Sequence, residues 1–109
     1  MSTTKVRMNL IIIYTPNIFE VKRFYEIIGL EFKEEKHGTG PTHYSSTTND
    51  GLVLEIYPRL QSSNERFGFE LYNLRAVVEM LSSYHITEFS NYVVVRDPDN
   101  RQVHLSERK

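Results

Sequence analysis

Three side chains able to hold protons, metal ions or anions stand in segments that alternate like β-strands. Glu55 lies between Leu54 and Ile56, His104 lies between Val103 and Leu105, and Arg66 precedes a Phe-Gly-Phe run. Successive residues of a strand point to opposite faces, so these three side chains share the face opposite to their apolar neighbours. A carboxylate and an imidazole can bind a metal or move a proton, and a guanidinium can grip a carboxylate or phosphate with two donors.

The elements that must position these residues follow one pattern that occurs twice. The first half reads as a strand, a capped helix, a short strand and a hairpin: Leu10–Tyr14, a helix capped by Asn17 and ended by Gly29, Leu30–Glu34, His43–Thr48 and Leu52–Tyr57. The second half repeats this order: a strand containing Phe67, Phe69 and Leu71, a helix from Leu74 to about Ser83 capped by Asn73, Tyr92–Val95 and Gln102–Ser106. The apolar periods and the end signals support each assignment.

The repeat can be measured by its offsets. Asn17 and Asn73 are 56 residues apart, whereas Asp50 and Asp99, in the turns of the last hairpins, are 49 apart. The second half is therefore about seven residues shorter between its helix and its third strand, where we expect a shortened or missing strand. The pattern predicts an α+β fold of two βαβββ modules in a single domain, residues 1–109: module 1 at about 6–58, a linker at 59–64 and module 2 at about 65–107.

Composition excludes several function classes. Thirteen Lys and Arg against fourteen Asp and Glu leave a net charge of −1, without the basic excess typical of nucleic-acid binders. The chain has no Cys, so disulfides and thiolate sites are excluded. Its longest apolar run, Leu10–Tyr14, is too short to cross a bilayer, and no signal peptide is evident. We expect a cytoplasmic protein that binds neither nucleic acid nor membranes.

Two motifs in the correct order resemble the vicinal oxygen chelate superfamily. Phe24-Tyr25 followed by Gly29-Leu30 is similar to its opening FYxxxGL pattern, and Asp97-Pro98-Asp99 followed by Gln102–Leu105 is similar to its closing DPDGxxxEL hairpin. The superfamily includes glyoxalases, extradiol dioxygenases and bleomycin-resistance proteins. The resemblance implies a pseudo-twofold curved sheet around a cup and a homodimer whose cups can form between modules of different subunits. It leaves the reaction open.

The resemblance also implies where a metal would be held. The superfamily's four ligand positions correspond to Leu10, Glu55, Arg66 and His104, of which only Glu55 and His104 can coordinate a metal. A catalytic zinc site uses three protein ligands, and Arg66 would repel a cation. We therefore expect no metal cofactor, with a divalent metal held by Glu55 and His104 as the alternative. An ion pair between Glu55 and Arg66 is a purely structural interpretation of the same positions.

His43 could supply a third ligand, depending on the register of the first hairpin. A three-residue loop, Asn49-Asp50-Gly51, places Ser45 opposite Glu55 and puts His43 on the face of Glu55. A two-residue loop, Asp50-Gly51, turns His43 to the other face, because a slip of one residue reverses every side chain. The sequence is compatible with both registers.

Two functions follow from these residues. In the first, a small anionic or polar molecule is held by Arg66, with substrate contacts also from Tyr14, Tyr57, Leu10, His43 and Gln102. In the second, the protein resembles a glyoxalase, a metal-dependent lyase in which Glu55 is both ligand and base. A third interpretation is a dimerising or regulatory module with a degenerate cup.

The loop His37–Gly40 is a candidate lid, and the charges Lys33–Lys36 are typical of a solvated strand end.

Overall fold

A computed structural model describes residues 4–108 as two helices and eight strands. The first half contains β1 (Leu10–Thr15), α1 (Ile18–Ile28), β2 (Lys33–Glu35), β3 (His43–Thr47) and β4 (Val53–Pro58). The second half contains β5 (Phe67–Leu71), α2 (Leu74–Met80), β6 (Ile86–Glu88), β7 (Val93–Arg96) and β8 (Gln102–Glu107). No helix within the described residues is long and apolar enough to span a membrane.

The eight strands form two four-stranded mixed sheets of identical topology. Their orders are β1-β4-β3-β2 and β5-β8-β7-β6, with the first strand of each half parallel to the last and the other pairs antiparallel. This confirms the predicted α+β fold of paired βαβββ modules. The second module keeps the strand after its helix: β6 has three residues, as β2 has, so the expectation that this strand is shortened or missing was wrong. The shortening falls partly on the helix, since α2 has 7 residues and α1 has 11.

The hairpin register follows the three-residue alternative. Ser45 pairs with Glu55, and the Thr48 N–H donates to the Leu52 carbonyl at 2.8 Å. Gly51 has φ +93°, a conformation that glycine adopts without steric cost. His43 therefore lies on the same face of the first sheet as Glu55.

The turn between β7 and β8 repeats the β3–β4 turn 49 residues later. The Asp97 N–H donates to the Arg101 carbonyl at 3.0 Å, as Thr48 does to Leu52. Asn100 has φ +70° at the position that Gly51 occupies, and asparagine tolerates this left-handed region. The 49-residue offset found in the sequence therefore relates two turns of the same backbone structure.

One apolar core joins the two modules. Strands β1 and β4 contribute buried side chains such as Ile13 and Ile56, and β7 and β8 contribute Val95 and Leu105. Helix α1 packs across the junction, because the Tyr25 ring meets the β5 rings of Phe67 and Phe69 at centroid distances of 6.0 and 6.2 Å. The first helix is therefore covered partly by the second module.

The expected helix caps are not formed by asparagine side chains. Neither Asn17 nor Asn73 makes a capping hydrogen bond, so this prediction was wrong. The Asn17 Nδ2 instead donates to Asp99 at 3.0 Å. At α2 the carboxylate of Glu107 accepts the N–H groups of Asn73 and Leu74 at 3.1 and 3.0 Å. A charged partner from β8 replaces the local cap.

A fully buried arginine fastens the junction of the modules. Arg101 donates to Asp97 at 2.9 Å, to Asp99 at 3.1 Å and to Glu65 at 3.0 Å. Its third nitrogen, Nη2, donates to the Tyr14 carbonyl at the end of β1 and to Ser63 Oγ at 3.4 Å. Tyr25 of α1 completes the cluster by donating to Asp97 at 2.8 Å. Burial, followed by the charge of Asp97, raises the pKa of Tyr25 well above its usual range.

Candidate functional site

The polar face of the first sheet is built around a buried histidine. His43 is 1% exposed, and its ring stacks on Tyr57 at a centroid distance of 4.1 Å. The His43 Nε2 lies 3.3 Å from Tyr57 Oη, 3.3 Å from Glu35 Oε1 and 3.7 Å from Glu55 Oε2. Two carboxylates, a phenol and an imidazole nitrogen therefore meet at one point.

A second histidine stands beside this cluster. The His37 Nε2 lies 3.9 Å from Glu35 Oε1, and the rings of His37 and His43 are 5.1 Å apart. The ligand atoms of Glu35, His37 and His43 all lie within 4.8 Å of one another. The sequence interpretation missed Glu35 and His37, because it treated one as a solvated strand end and the other as part of a lid. The pairing of Glu35 with His43 between β2 and β3 is the signal that would have found them.

Aromatic rings extend this face toward the end of β1. Tyr14 and Tyr57 are neighbours across the parallel pair β1–β4, with ring centroids 6.1 Å apart. The Arg59 guanidinium covers the Tyr14 ring at 3.7 Å, a cation–π contact. Partial desolvation, followed by the charges of Glu55 and Glu35, raises the pKa of Tyr57, which therefore keeps its proton at neutral pH. Leu10 begins the same strand face and is 49% exposed.

The corresponding face of the second sheet carries a different set of side chains. The Arg66 Nε donates to His104 Nε2 at 3.2 Å. His104 stacks on Tyr92 at 5.4 Å, and Tyr92 stacks on Phe89 at 4.8 Å. Gly68 lets these groups lie close to the sheet, since a Cβ there would meet the His104 Cβ at 3.1 Å. The result is a flat aromatic stack with a guanidinium at one end.

A cavity of about 350 Å³ opens at this stack. Its lining includes Gly68, Asn91, Tyr92 and His104. Gln102 stands two residues before His104 on β8 and is half-buried. The cavity is therefore bordered by the Tyr92 ring, the His104 imidazole, the Asn91 amide and the Glu70 carboxylate, and Arg66 contacts it only through His104.

The two faces hold their charged groups in separate clusters. Arg66 and His104 are in contact in the second sheet, and Glu55 is in contact with His43 in the first. No ion pair joins Glu55 to Arg66 within residues 4–108, so the structural pairing considered for them is not formed. Any chemistry at either cluster would therefore involve the side chains of that cluster alone.

Comparisons with known proteins identify the architecture. No family model and no curated protein sequence matches the chain. Among solved structures it is similar to a trypanothione-dependent glyoxalase I of Leishmania major, with TM-score 0.74 and 16% identity over 94% of this chain and 87% of that one. Oxidase ChaP-H2 matches with TM-score 0.72 and 13% identity over 97% and 96% of the two chains. The antibiotic-binding protein TnmS3 of Streptomyces sp. CB03234 matches with TM-score 0.70 and 14% identity over 99% and 100%.

These likenesses cover nearly the whole chain. The chain has the vicinal oxygen chelate fold. At such low identity the likeness shows the fold alone, and lyase, oxidase and antibiotic-binding activities are those of the other proteins. The expected resemblance to this glyoxalase-like superfamily is confirmed at that level.

The four metal positions implied by the vicinal oxygen chelate resemblance do not fit a catalytic metal in this chain. Leu10 has no donor atom, and Arg66 brings a positive charge. The Arg66 Nε–H also occupies His104 Nε2, the lone pair that a metal would need. Glu55 alone keeps an unobstructed ligand atom, whereas a catalytic zinc uses three protein ligands.

Proposed function

We propose that this protein binds a small anionic or polar molecule, with Arg66 as its anion anchor. The supporting observation is that Arg66 is exposed and takes part in no ion pair within the described part of the chain. Its Nε is used by His104, which fixes the guanidinium and leaves the two terminal nitrogens for a ligand. A pre-positioned fork of this kind suits a carboxylate or a phosphate.

The neighbouring stack specifies the rest of the ligand. Tyr92 and His104 line the 350 Å³ cavity, and Phe89 extends the apolar surface. A planar ring bearing an acidic group would pack against the exposed side of this stack while its anion meets Arg66. We propose the remaining predicted contacts, from Tyr14, Tyr57, Leu10 and His43, as walls of the opposite module, and Gln102 as a polar contact beside His104.

Phenyl phosphate is a suitable probe, since it combines a ring with a phosphate. Calorimetric titration of wild-type protein should detect binding, and Arg66→Ala should weaken it by roughly tenfold to a hundredfold, because hydrogen bonds to charged groups contribute about 1.5–3 kcal/mol. Arg75→Ala, which removes an exposed arginine of α2, is the matched control and should bind like wild type. Equal affinity in Arg66→Ala would eliminate Arg66 as the anchor.

We propose that the protein is a homodimer in which modules of different copies face each other. In support, the two polar faces of one chain make separate clusters, and the apolar side chains of Val6, Met8 and Leu10 leading into β1 are exposed. A second copy would cover these groups. Light scattering on a size-exclusion column should give twice the chain mass of 12.8 kDa at micromolar concentration. A mass equal to one chain would contradict the proposal.

The second candidate is a metal-dependent, glyoxalase-like lyase with Glu55 as ligand and base and His104 as a second ligand. It is favoured by the contact of Glu55 with the buried His43, which holds a carboxylate on the polar face of the first sheet, and it requires the Arg66–His104 hydrogen bond to break. Stoichiometric metal binding that is lost in both Glu55→Gln and His104→Ala would support this candidate over the metal-free one.

A further inference from the structure

Two histidines and two carboxylates converge at the end of the first sheet. The His43 Nε2 is 3.3 Å from Glu35 Oε1 and 3.7 Å from Glu55 Oε2, and the His37 Nε2 is 3.9 Å from the same Glu35 oxygen. These side chains come from β2, the loop after it, β3 and β4. The anion site proposed above uses none of these four side chains as its anchor.

The second ring nitrogen of His43 fixes what the first can do. The His43 Nδ1 lies 3.2 Å from the Pro41 carbonyl oxygen, which can only accept, so Nδ1 carries a hydrogen. The Nε2 then faces two carboxylates that are also acceptors when ionised. The Tyr57 Oη–H can donate to this nitrogen at 3.3 Å, and the two carboxylates beside it place negative charge where a metal ion could bind. Histidines that bind metals are commonly oriented by such a backbone contact at the other nitrogen.

The spacing of these atoms matches that of metal ligands. Zinc binds nitrogen and oxygen at about 2.0–2.2 Å in a tetrahedron, so neighbouring ligand atoms lie roughly 3.3–3.6 Å apart. The distances from His43 Nε2 to the two carboxylates bracket this value. The His37 side chain, 72% exposed, has to move by up to about an ångström, because the three ligand atoms lie within 4.8 Å of one another.

We infer that Glu35, His37 and His43 bind a divalent transition-metal ion as its three protein ligands. Two imidazoles and a carboxylate form a donor set suited to zinc, which in catalytic sites keeps its fourth position for water or a ligand. The chain also turns at this point: Gly38 has φ +57°, and the Gly40 N–H donates to the His37 carbonyl at 2.9 Å. This turn holds the backbone of His37 beside Glu35.

The inferred site differs from the positions that the fold's resemblance implies. Those positions lie on β1 and β4 of the first module and around β5 and β8 of the second. The inferred ligands lie on β2, the loop after it and β3, so the two sets share no residue. His104 belongs to the other set, and its replacement therefore discriminates between the two sites.

Zinc titration of chelator-treated protein tests the inference. Calorimetry should show one zinc ion per chain, and His37→Ala and Glu35→Gln should each raise the dissociation constant by about tenfold or more. Both side chains are at least partly exposed, so the folded state should survive, as circular dichroism of the metal-free variants would verify. Zinc should also raise the melting temperature of wild type more than that of His37→Ala, because only a bound ligand stabilises the folded state.

Two histidine variants serve as controls. His85→Ala removes an exposed histidine just before β6, and His104→Ala removes the one at the fold's implied position; both should bind zinc like wild type. Absence of stoichiometric binding would overturn the inference. Binding unaffected by His37→Ala and Glu35→Gln, or weakened equally by either control, would overturn it as well.

Discussion

Replacing Arg101 with methionine should lower the free energy of unfolding by about 3–5 kcal/mol, the cost of breaking a buried ion pair by removing one partner. The substitution leaves Asp97 and Asp99 buried with their countercharge gone, and Glu65 loses its contact as well. It also frees the carbonyl of Tyr14 at the end of β1. The loss should therefore exceed that of ordinary surface substitutions, which is usually within 0.5 kcal/mol.

Urea unfolding followed by circular dichroism measures this loss. Arg75→Met, in the exposed part of α2, is the matched control and should leave the midpoint nearly unchanged. Arg101→Lys should retain part of the stability, because it keeps the charge but not the several directed donors. A midpoint for Arg101→Met equal to that of the Arg75 control would show that the cluster contributes little.

Stability at alkaline pH should depend on the protonation of Tyr25. Its pKa is raised in the folded protein, first by burial and then by the charge of Asp97, whereas an unfolded tyrosine ionises near pH 10. Below that pH both states hold the proton and the contribution is complete. Above it the unfolded state binds fewer protons than the folded state, so stability should fall by about 1.4 kcal/mol per pH unit from this group. Between pH 10 and 12 the loss is roughly 2–3 kcal/mol.

Tyr25→Phe isolates this effect. The variant loses the hydrogen bond to Asp97, which should cost about 0.5–1.5 kcal/mol at neutral pH. It should then lose less stability than wild type on going to pH 12, while the exposed Tyr72→Phe should follow wild type throughout. Parallel pH profiles for Tyr25→Phe and wild type would show that Tyr25 ionises without unfolding the protein.

Much of the fold was open to prediction, because it depends on local patterns. Alternating strands, the helix ended by Gly29 and the 49-residue offset between the hairpins predicted the two βαβββ modules. The predicted side-chain caps at Asn17 and Asn73 did not form. Asp99 binds the Asn17 side chain and Glu107 binds the first N–H groups of α2, and both partners are distant in the sequence. The hairpin register was undecided, since Asn49-Asp50-Gly51 suits loops of either length.

The sites were harder to predict, because they depend on pairs of residues from different strands. Glu35 and His43 are partners across β2 and β3, but the charge run Lys33–Lys36 resembles any exposed strand end. Arg101 stands in a polar turn and could be recognised as buried only once acids from the turn and the linker are placed around it. Arg66 was expected to meet a carboxylate, and its partner is the imidazole of His104.

The turns at 48–52 and 97–101 are equivalent in backbone but differ in the side chain at their last position. At an offset of 49, Leu52 occupies in the first turn the place that Arg101 occupies in the second, and only the arginine reaches into the seam between the halves. The two halves share backbone topology, but only the second turn carries a buried arginine that contacts the other half. A chimaera with two first halves would keep every strand and lack this contact, so the two halves are not interchangeable.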